Sequence, residues 1–246
     1  MQVHWPVVDL CREPGGARDR QLLFGETIRL LETSDDWAYV QATKDDYRGY
    51  LNQAALRDEK PATHWVSAAS THLYTAPDFK SRERLRLSHG SRLTVTRRDG
   101  KFSQTLDGFV PRMHIAAAGF VEKDPVHVAE RFLGTPYLWG GNSIWGIDCS
   151  GLVQAALTAC NIACPGDSAQ QIELGQTAPQ GAFERNDLLF WRGHVALIID
   201  AETLIHANAA SMSTCYEGIE TAIARIADQG DGAPLAHKRV AGDWRR

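Results

Sequence analysis

The sequence has 246 residues, of which 43% are hydrophobic and 23% charged, a balance typical of globular proteins with a sizeable buried core. Its 26 basic and 30 acidic residues give a formal net charge of −4, which excludes a strongly basic surface for nucleic acid or anionic lipid. The length suits one large domain or two to three small ones.

The first residues, Met1 to Pro6, contain no recognisable targeting signal. They lack both the basic stretch and the apolar stretch of a secretory signal peptide. The three alanines at 116–118 are far too few to cross a membrane. With Met1 as the true start, we expect a cytoplasmic protein that has neither a membrane nor a nucleic acid as partner.

The cysteines are odd in number, and their spacing does not match a small disulfide-bonded scaffold. Cys160 and Cys164 could suggest a zinc site. No second Cys or His pair at ligand spacing accompanies them, so we expect no metal and no cofactor. The full set is Cys11, Cys149, Cys160, Cys164 and Cys215.

The first half of the chain consists of short alternating runs separated by turn residues, which is typical of small β-barrels. The turn of the first segment is Asp35-Asp36, and that of the second is Asp99-Gly100, a strong hairpin signal. Each segment has Gly ahead of an apolar strand and a late Gly-aromatic-aliphatic step, which makes a weak repeat of roughly 60 residues. We therefore predict two small barrels, at residues 1–60 and 61–122.

Helices are predicted after the barrels. Asp124 is an N-cap residue followed by proline, which predicts a helix that stops at Gly134. Ser168 and Gln171 have the spacing of a capping box and predict a helix of about two turns, to Leu174.

Strands dominate the rest of the chain. Their near-continuous apolar runs indicate burial. Helices first and strands after indicate an α+β domain with an antiparallel sheet, at residues 123–246. The predicted strands cover 187–191, 194–199, 204–207 and a stretch near 237–240.

A glycine-broken loop at residues 136–148 delivers Cys149 to the start of a helix. Asp148 occupies the N-cap position, and the helical run 152–158 follows. The amide groups and the dipole at a helix N-terminus favour an anion, so this position lowers the pKa of a thiol and favours the nucleophilic thiolate. Cys149 is therefore a candidate nucleophile, although a lone cysteine is more often a small buried hydrophobic residue.

A thiolate needs a base, and the base needs a side chain that orients it. His194 opens one predicted strand, and His206 lies in the next. A three-residue turn at 200–202 would pair Ile199 with Thr203 and put both histidines on one face of the sheet. A two- or four-residue turn would put them on opposite faces. Because strand histidines are often ordinary core residues, the register decides between the two interpretations.

Four separated pieces of the sequence form a recognisable set. They are Tyr137–Gly141, Asp148–Val153, Gly193–Ala196 and Leu204–Ala207. In this order the four pieces resemble the NlpC-type cell-wall cysteine peptidases, which implies a papain-like α+β fold for the part of the chain that follows the barrels. Two bacterial SH3-like barrels ahead of it further resemble the γ-D-glutamyl-L-diamino acid endopeptidases, of the dipeptidyl-peptidase VI type, which separate L-Ala-γ-D-Glu from the diamino acid of murein peptides.

The resemblance implies a catalytic role for four residues. Cys149 would be the nucleophile and His194 the base, while His206 would hold the ring of His194. The oxyanion would be met by the backbone N–H of Cys149 and by the hydroxyl of Tyr137.

The same resemblance implies a set of substrate-binding residues. Asp148, Ser150 and Ser168 would hold the D-Glu and the free amine of the N-terminal L-Ala. Tyr47 would form a wall that blocks longer N-terminal chains, and Glu26 could pair with the substrate's ammonium group. The plain structural interpretations are helix caps for Asp148 and Ser168, and ordinary barrel residues for Tyr47 and Glu26.

We therefore expect hydrolysis of short murein peptides such as L-Ala-γ-D-Glu-diaminopimelate, in the recycling of imported wall fragments. One alternative is a binding protein, in which the SH3-like domains hold a wall or protein partner and the peptidase domain is idle. A second alternative keeps the thiol chemistry in an amidase or acyltransferase reaction.

Overall fold

The computed structural model describes residues 1–179 and 181–242 of the chain. These residues form two compact units. The first comprises Met1–Phe120 together with Asn142–Trp145, and the second comprises Val121–Gly141 and the chain from Gly146 onward. Both predicted barrels lie in the first unit, except that residues 121 and 122 of the predicted second barrel belong to the second unit.

The first barrel is built from short antiparallel strands. They are β1 (Gln2–Val3), β2 (Val7–Cys11), β3 (Arg18–Leu23), β4 (Ile28–Ser34), β5 (Trp37–Ala42), β6 (Arg48–Asn52) and β7 (Leu56–Arg57). Five of them form a sheet in the order β3-β2-β6-β5-β4, and β1 pairs with β7. Ser34 pairs with Trp37 across the predicted turn, where Asp35 has a φ of 49°. The sequence patterns missed β2 because its apolar residues flank a single Asp9 and do not alternate.

The second barrel repeats this construction. Its strands are β8 (His64–Val66), β9 (Ser70–Tyr74), β10 (Glu83–Ser88), β11 (Arg92–Leu93), β12 (Val95–Asp99), β13 (Phe102–Thr105), β14 (Phe109–Pro111) and β15 (Ile115–Ala117). One sheet has the order β10-β9-β14-β13-β12, and a second has the order β11-β8-β15. Asp99 pairs with Phe102, so a hairpin is present as predicted, but its two turn residues are Gly100 and Lys101, one position later than the predicted Asp99-Gly100.

Each barrel has its own core. Leu10, Val40 and Leu51 are fully buried in the first. In the second, Leu73 and Leu87 pack around Phe24, which the chain contributes from just after β3. Short 3₁₀ turns at Gln53–Ala55 and Arg112–His114 follow the last long strand of each barrel.

A short segment from later in the chain also belongs to the first unit. It includes β16 (Asn142–Ser143). The backbone N–H of Asn142 donates to Oε1 of Gln21 over 3.2 Å, and that of Ile144 donates to Oγ of Ser88 over 2.9 Å. Side-chain acceptors of both barrels therefore hold this segment.

The described residues of the second unit contain four α-helices, of which the first two start as predicted. They are α1 (Pro125–Ala129), α2 (Cys149–Ala159), α3 (Ser168–Gln171) and α4 (Ile219–Asp228). Asp124 caps α1 by accepting from the N–H of Val126, and a 3₁₀ turn at Glu130–Phe132 extends the helix toward Gly134. Gly134 has a φ of +76°, the left-handed conformation expected at a helix stop.

The strands of the second unit form a six-stranded sheet, apart from the short β17 (Gly146–Ile147). They are β18 (Gln176–Thr177), β19 (Asp187–Trp191), β20 (His194–Ile198), β21 (Thr203–Asn208), β22 (Ser213–Gly218) and β23 (Ala236–Arg239). The order is β18-β23-β19-β20-β21-β22, antiparallel throughout. The predicted α+β fold with an antiparallel sheet is confirmed.

Helix α4 covers one part of this sheet. Its apolar residues Ile219, Ala222 and Ile226 pack against Ala196 of β20 and Leu204 of β21. Helix α2 also contacts β20 and β21. The two strands that carry the candidate histidines are therefore fixed by packing against two helices.

Three features of the second unit differ from the sequence-based predictions. Helix α3 has four residues and ends at Gln171, whereas the predicted helix continued to Leu174. The capping box at Ser168 and Gln171 is wrong, because Asp167 is the N-cap residue of α3 and Ser168 is the first helical residue. The side chain of Gln171 donates instead to the carbonyls of Ser150 and Pro165, both over 2.9 Å. Strand β22 and helix α4 were not predicted at all.

Candidate active site

Asp148 fixes the loop that leads into α2. Its Oδ1 accepts from the N–H of Gly151 over 2.6 Å and from Oγ of Ser150 over 3.1 Å, and its Oδ2 accepts from the N–H of Gly140 over 2.9 Å. One carboxylate thus caps the helix and ties it to the preceding loop. The predicted N-cap is confirmed, and Cys149 is the first residue of the helix.

Gly151 is required by the close approach of this loop to the helix. A Cβ atom at this position would lie 2.5 Å from the carbonyl oxygen of Gly141 and 3.0 Å from Oδ1 of Asp148. A backbone oxygen cannot move aside as a flexible side chain can. The glycine after Asp148-Cys149-Ser150 therefore lets the loop pack directly on the first helical turn.

The thiol of Cys149 lies where β20 begins. The residue is 6% exposed, and its Sγ donates to the carbonyl oxygen of Gly193 over 3.9 Å. Gly193 has a φ of +70° and immediately precedes His194. Because a helix N-terminus favours a negative charge, this position suits a thiolate.

His194 and His206 face each other across β20 and β21. Leu197 pairs with Ile205, and the N–H of Ile199 donates to the carbonyl of Thr203, so the turn has three residues, the length that puts both histidines on one face. Nε2 of His194 lies 2.9 Å from Nδ1 of His206. The prediction that both imidazoles share one face of the sheet is confirmed.

Two further charged residues continue this line of contacts, and the sequence analysis missed both. Oε2 of Glu217 on β22 lies 2.9 Å from Nε2 of His206. Arg225 on α4 donates from Nε to Oε1 of Glu217 over 2.9 Å and from Nη2 to Oε2 over 2.7 Å. The apolar spacing of Ile219, Ala222 and Ile226 could have predicted α4.

The environment of the two imidazoles keeps them uncharged. Burial is the main cause that lowers the pKa of His194 to about 3, with contributions from His206 and Arg225. Burial likewise lowers the pKa of His206 to about 4, although the Glu217 carboxylate opposes the shift. Both rings are therefore neutral at neutral pH, and a neutral imidazole has one nitrogen that can accept a proton.

Tyr137 keeps its phenolic proton over the whole neutral range. Burial raises its pKa to about 12, and the nearby Cys149 and Asp148 add to the shift. A protonated hydroxyl in this neighbourhood can donate a hydrogen bond to a developing oxyanion.

The serine candidates lie at two helix starts. Ser150 is buried, and its hydroxyl donates to Asp148. Ser168 is a half-buried residue at the start of α3, and Gln171 of α3 bonds to the carbonyl of Ser150. The two serines therefore belong to helices that are tied together, and their contact with substrate stays a prediction.

The candidates of the first barrel have contacts within that barrel. Glu26 is 8% exposed, and its carboxylate accepts from the N–H of Leu23 over 3.1 Å and from Lys44 over 2.7 Å. Tyr47 is half-buried, packs on the first core, and has the guanidinium of Arg20 6.0 Å from its ring centre. Lys44 already balances the charge of Glu26. A role for either candidate in substrate binding stays a prediction.

No three His, Cys, Asp or Glu side chains gather as a metal site within the described parts of the chain. Over the same residues, none of the helices has the length and apolar character needed to traverse a bilayer.

The zinc site that the sequence could suggest would use Cys160 and Cys164. Cys160 is buried, which raises its pKa to about 12, and the Sγ of Cys164 contacts the carbonyl of Pro165 over 3.6 Å.

The helix-start cysteine and the strand-borne histidine pair place the second unit in the papain-like class of cysteine peptidases. Residues 134–224 match the NlpC/P60 family, and residues 10–56 match the bacterial dipeptidyl-peptidase Sh3 domain. The chain therefore carries an NlpC/P60 cysteine peptidase domain preceded by a bacterial SH3 domain.

Several known proteins are similar to most of the chain. A γ-D-glutamyl-L-lysine dipeptidyl-peptidase of Bacillus subtilis is 26% identical over 219 residues, which cover 78% of this chain and 73% of the relative. Dipeptidyl-peptidase 6 of Lysinibacillus sphaericus is 28% identical over 217 residues, covering 76% and 79%. The crystal structure of an NlpC/P60 family protein from Bacillus cereus superposes with a TM-score of 0.84 at 19% identity, covering 97% of this chain and 98% of that one. This last likeness supports the fold.

Proposed function

We propose that the protein is a cysteine endopeptidase that cleaves the γ-D-glutamyl–L-diamino acid bond of short murein peptides with a free N-terminal L-Ala. The observation that carries the proposal is the extent of the similarity to named dipeptidyl-peptidases. An alignment covering 78% of the chain is longer than the peptidase domain and extends into the SH3-containing unit. The histidine pair next to the helix-start cysteine supplies the chemistry.

The proposed reaction begins at the thiol of Cys149. Its Sγ attacks the carbonyl carbon of the γ-glutamyl amide while His194 accepts the thiol proton. The N–H of Cys149 and the hydroxyl of Tyr137 donate to the oxyanion. His194 then protonates the amine of the departing diamino acid, and water hydrolyses the thioester to release L-Ala-D-Glu.

The substrate's ammonium group is proposed to meet Asp148. This carboxylate is 7% exposed and accepts from three local donors, and each of its oxygens has more than one lone pair. Ser150 and Ser168 are proposed to hold the D-Glu. Blocking the N-terminal amine would remove the positive charge that this site is proposed to recognise.

We also propose a cytoplasmic role in the recycling of wall peptides. All five cysteines lie in the described part of the chain, and none of them forms a disulfide. Reduced thiols are usual in the cytoplasm and unusual in small secreted proteins. Fractionation of the source cells tests this, and recovery of the enzyme with the wall fraction would contradict it.

The activity is tested by incubating the purified protein with L-Ala-γ-D-Glu-L-Lys and L-Ala-γ-D-Glu-diaminopimelate. Mass spectrometry should detect a free diamino acid and L-Ala-D-Glu, and the N-acetylated peptides should be cleaved poorly. Cys149→Ser should abolish the release, whereas Cys11→Ser, which removes a thiol from the first unit, should not. Binding without cleavage would favour the binding-protein alternative, and transfer of the acyl group to another amine would favour the acyltransferase.

A further inference from the structure

His206 lies in the middle of a line of contacts in the second unit. One ring nitrogen, Nδ1, is 2.9 Å from Nε2 of His194, and the other, Nε2, is 2.9 Å from Oε2 of Glu217. His206 is fully buried, so water does not reach the ring. The side chain of Glu217 is 16% exposed and is held from its other side by two bonds from Arg225.

The charge of Glu217 determines which nitrogen of His206 carries the proton. The hydrogen bonds from Arg225 lower the pKa of Glu217 against the opposing effect of burial, so the carboxylate is ionised and can only accept. A ring lone pair facing this oxygen would be repelled. The short contact between Nε2 of His206 and Oε2 of Glu217 does not have the angle of a hydrogen bond. The negative charge of the carboxylate nevertheless favours a proton on Nε2 over a proton on Nδ1.

The consequence passes through His206 to the catalytic ring. A neutral His206 with its proton on Nε2 has an unprotonated Nδ1, which accepts a hydrogen bond from Nε2–H of His194. A neutral His194 with its proton on Nε2 has an unprotonated Nδ1. That nitrogen is the one left to take a proton from the thiol beside Gly193.

We propose that Glu217, held in place by Arg225, is a positioning residue that keeps the proton of His206 on Nε2 and thereby leaves Nδ1 of His194 ready to accept the proton of Cys149. The peptide-cleavage part of the test rests on the proposed function. The proton positions themselves can be measured without any substrate.

Among the described residues, Glu217 and Arg225 are the charged groups that act on both rings. Cys215 on β22 pairs directly with His206, and its Sγ contacts Asn208 and Ser211. Helix α2 carries no charged side chain, and its thiol is that of Cys149. On α4, Glu220 and Asp228 are exposed, so Arg225 is the residue of this helix that reaches the line.

The two charged residues act on the imidazoles in opposite directions. The carboxylate of Glu217 raises the pKa of both His194 and His206, whereas the guanidinium of Arg225 lowers both. Neutralising Glu217 should therefore move the protonation of the pair to lower pH. Removing the positive charge of Arg225 should move it to higher pH.

The kinetic test compares Glu217→Gln with Glu220→Gln, which removes the same charge from an exposed position three residues later. Glu217→Gln should lower kcat by about 10- to 100-fold with KM within about twofold, because the base is misprotonated while the substrate contacts remain. Glu220→Gln should match the wild type. Equal kcat values for the wild type and Glu217→Gln would overturn the proposal.

The second readout is the pH dependence of Cys149 alkylation by iodoacetamide, which needs no peptide. The acid limb should move to lower pH in Glu217→Gln and to higher pH in Arg225→Met, each by more than about 0.3 pH unit. A shift of both variants in one direction would overturn the electrostatic argument. Failure of the wild type to cleave murein peptides, with these shifts intact, would overturn only the proposed substrate.

The third readout is the tautomer of His206, measured by NMR. Its main measurement uses the wild type alone, so it remains valid if Glu217→Gln fails to fold. In ¹⁵N-labelled wild type, the imidazole nitrogen shifts should show His206 protonated on Nε2 and unprotonated on Nδ1. In a folded Glu217→Gln variant, the opposite tautomer should become populated. A proton on Nδ1 of His206 in the wild type would overturn the proposal.

Discussion

Nε2 of His194 lies 2.9 Å from Nδ1 of His206, although twelve residues separate them along the chain. The contact depends on the three-residue turn between β20 and β21, since a register shifted by one residue would move one ring to the other face. His206 is fully buried, so the surrounding side chains fix the position of its ring. The fixed ring can in turn orient the ring of His194.

This contact predicts different effects for two substitutions of His206. His206→Ala should lower kcat by about 10²- to 10⁴-fold, because His194 loses the acceptor that orients it. His206→Asn should retain more activity, because its amide oxygen can occupy the place of Nδ1. Steady-state kinetics and circular dichroism provide the measurement, and equal kcat values for His206→Ala and the wild type would contradict the orienting role.

A second prediction concerns the hydroxyl of Tyr137. Because its pKa is raised to about 12, the group is a hydrogen-bond donor throughout the neutral range. Tyr137→Phe should lower kcat by about 10²-fold, as expected for loss of one oxyanion donor, with little change in KM. An unchanged kcat, or an effect confined to KM, would assign the hydroxyl to a role other than oxyanion stabilisation.

Local sequence signals predicted the parts of the site that depend on local structure. The N-cap at Asp148 and the position of Cys149 in the first helical turn follow from residue types within one stretch of chain. The shared face of His194 and His206 follows from strand periodicity and the length of one turn. Each of these predictions required only neighbouring residues or one hairpin.

The parts that the sequence did not predict depend on tertiary packing. Gln171 has the spacing of a capping residue, but its amide is used to bond the carbonyl of Ser150 in another helix. Glu217 is on an edge strand, and only the pairing of β22 with β21 brings it to His206. Arg225 reaches the same carboxylate from α4. Pairing across strands and helices is not encoded in the spacing of any one segment.

A third prediction follows from the lowered pKa values of His194 and His206. Unfolding lets both rings return to their ordinary value of 6.5, so below pH 6.5 the unfolded chain binds more protons than the native protein. The free energy of unfolding should therefore fall as the pH decreases from 6.5 toward 4, by up to about 1.4 kcal/mol per pH unit for each ring. Above pH 6.5 these rings contribute no slope.

Urea unfolding at a series of pH values measures this dependence. Burial also lowers the pKa of His64 and His114, so they contribute in the same direction. The comparison is therefore between the wild type and the double variant His194→Gln, His206→Gln, in which the slope should be smaller. An identical slope in both proteins would show that His194 and His206 are not the source.

A fourth prediction concerns the close contact at Gly151. Gly151→Ala would place a methyl group 2.5 Å from the carbonyl oxygen of Gly141, which forces the loop away from the first turn of α2. We expect a loss of about 1–3 kcal/mol of stability and a lower kcat, because the loop carries Tyr137. The matched control is Gly119→Ala, where a Cβ atom would meet open space, and thermal unfolding together with kinetics compares the two. Equal stability of both variants would contradict the steric argument.

The last prediction separates stability from catalysis. Asp187 is fully buried, and its carboxylate accepts three hydrogen bonds. The donors are the N–H of Glu184, Nε of Arg239 over 3.0 Å and Nη2 of Arg239 over 2.8 Å. Nε2 of His237 also lies 2.9 Å from the carboxylate. Burial opposes its charge, but the hydrogen bonds of Arg239 and His237 outweigh burial and lower the pKa of the carboxyl.

Asp187→Asn should reduce the free energy of unfolding by about 3 kcal/mol, because it removes the fully buried carboxylate charge that Arg239 and His237 contact and leaves the half-buried Arg239 paired with the more exposed Glu184. The matched control is Asp99→Asn, which breaks an ion pair with Arg97 whose side chains are 37% and 64% exposed and should change stability by less than about 1 kcal/mol. Urea denaturation at pH 7 compares the two variants, and kcat per folded molecule should stay within about twofold of the wild type in both, since Asp187 bonds to Arg239 and His237 and Asp99 bonds to Arg97. A loss of turnover in Asp187→Asn without a loss of stability would instead place this carboxylate in the catalytic machinery.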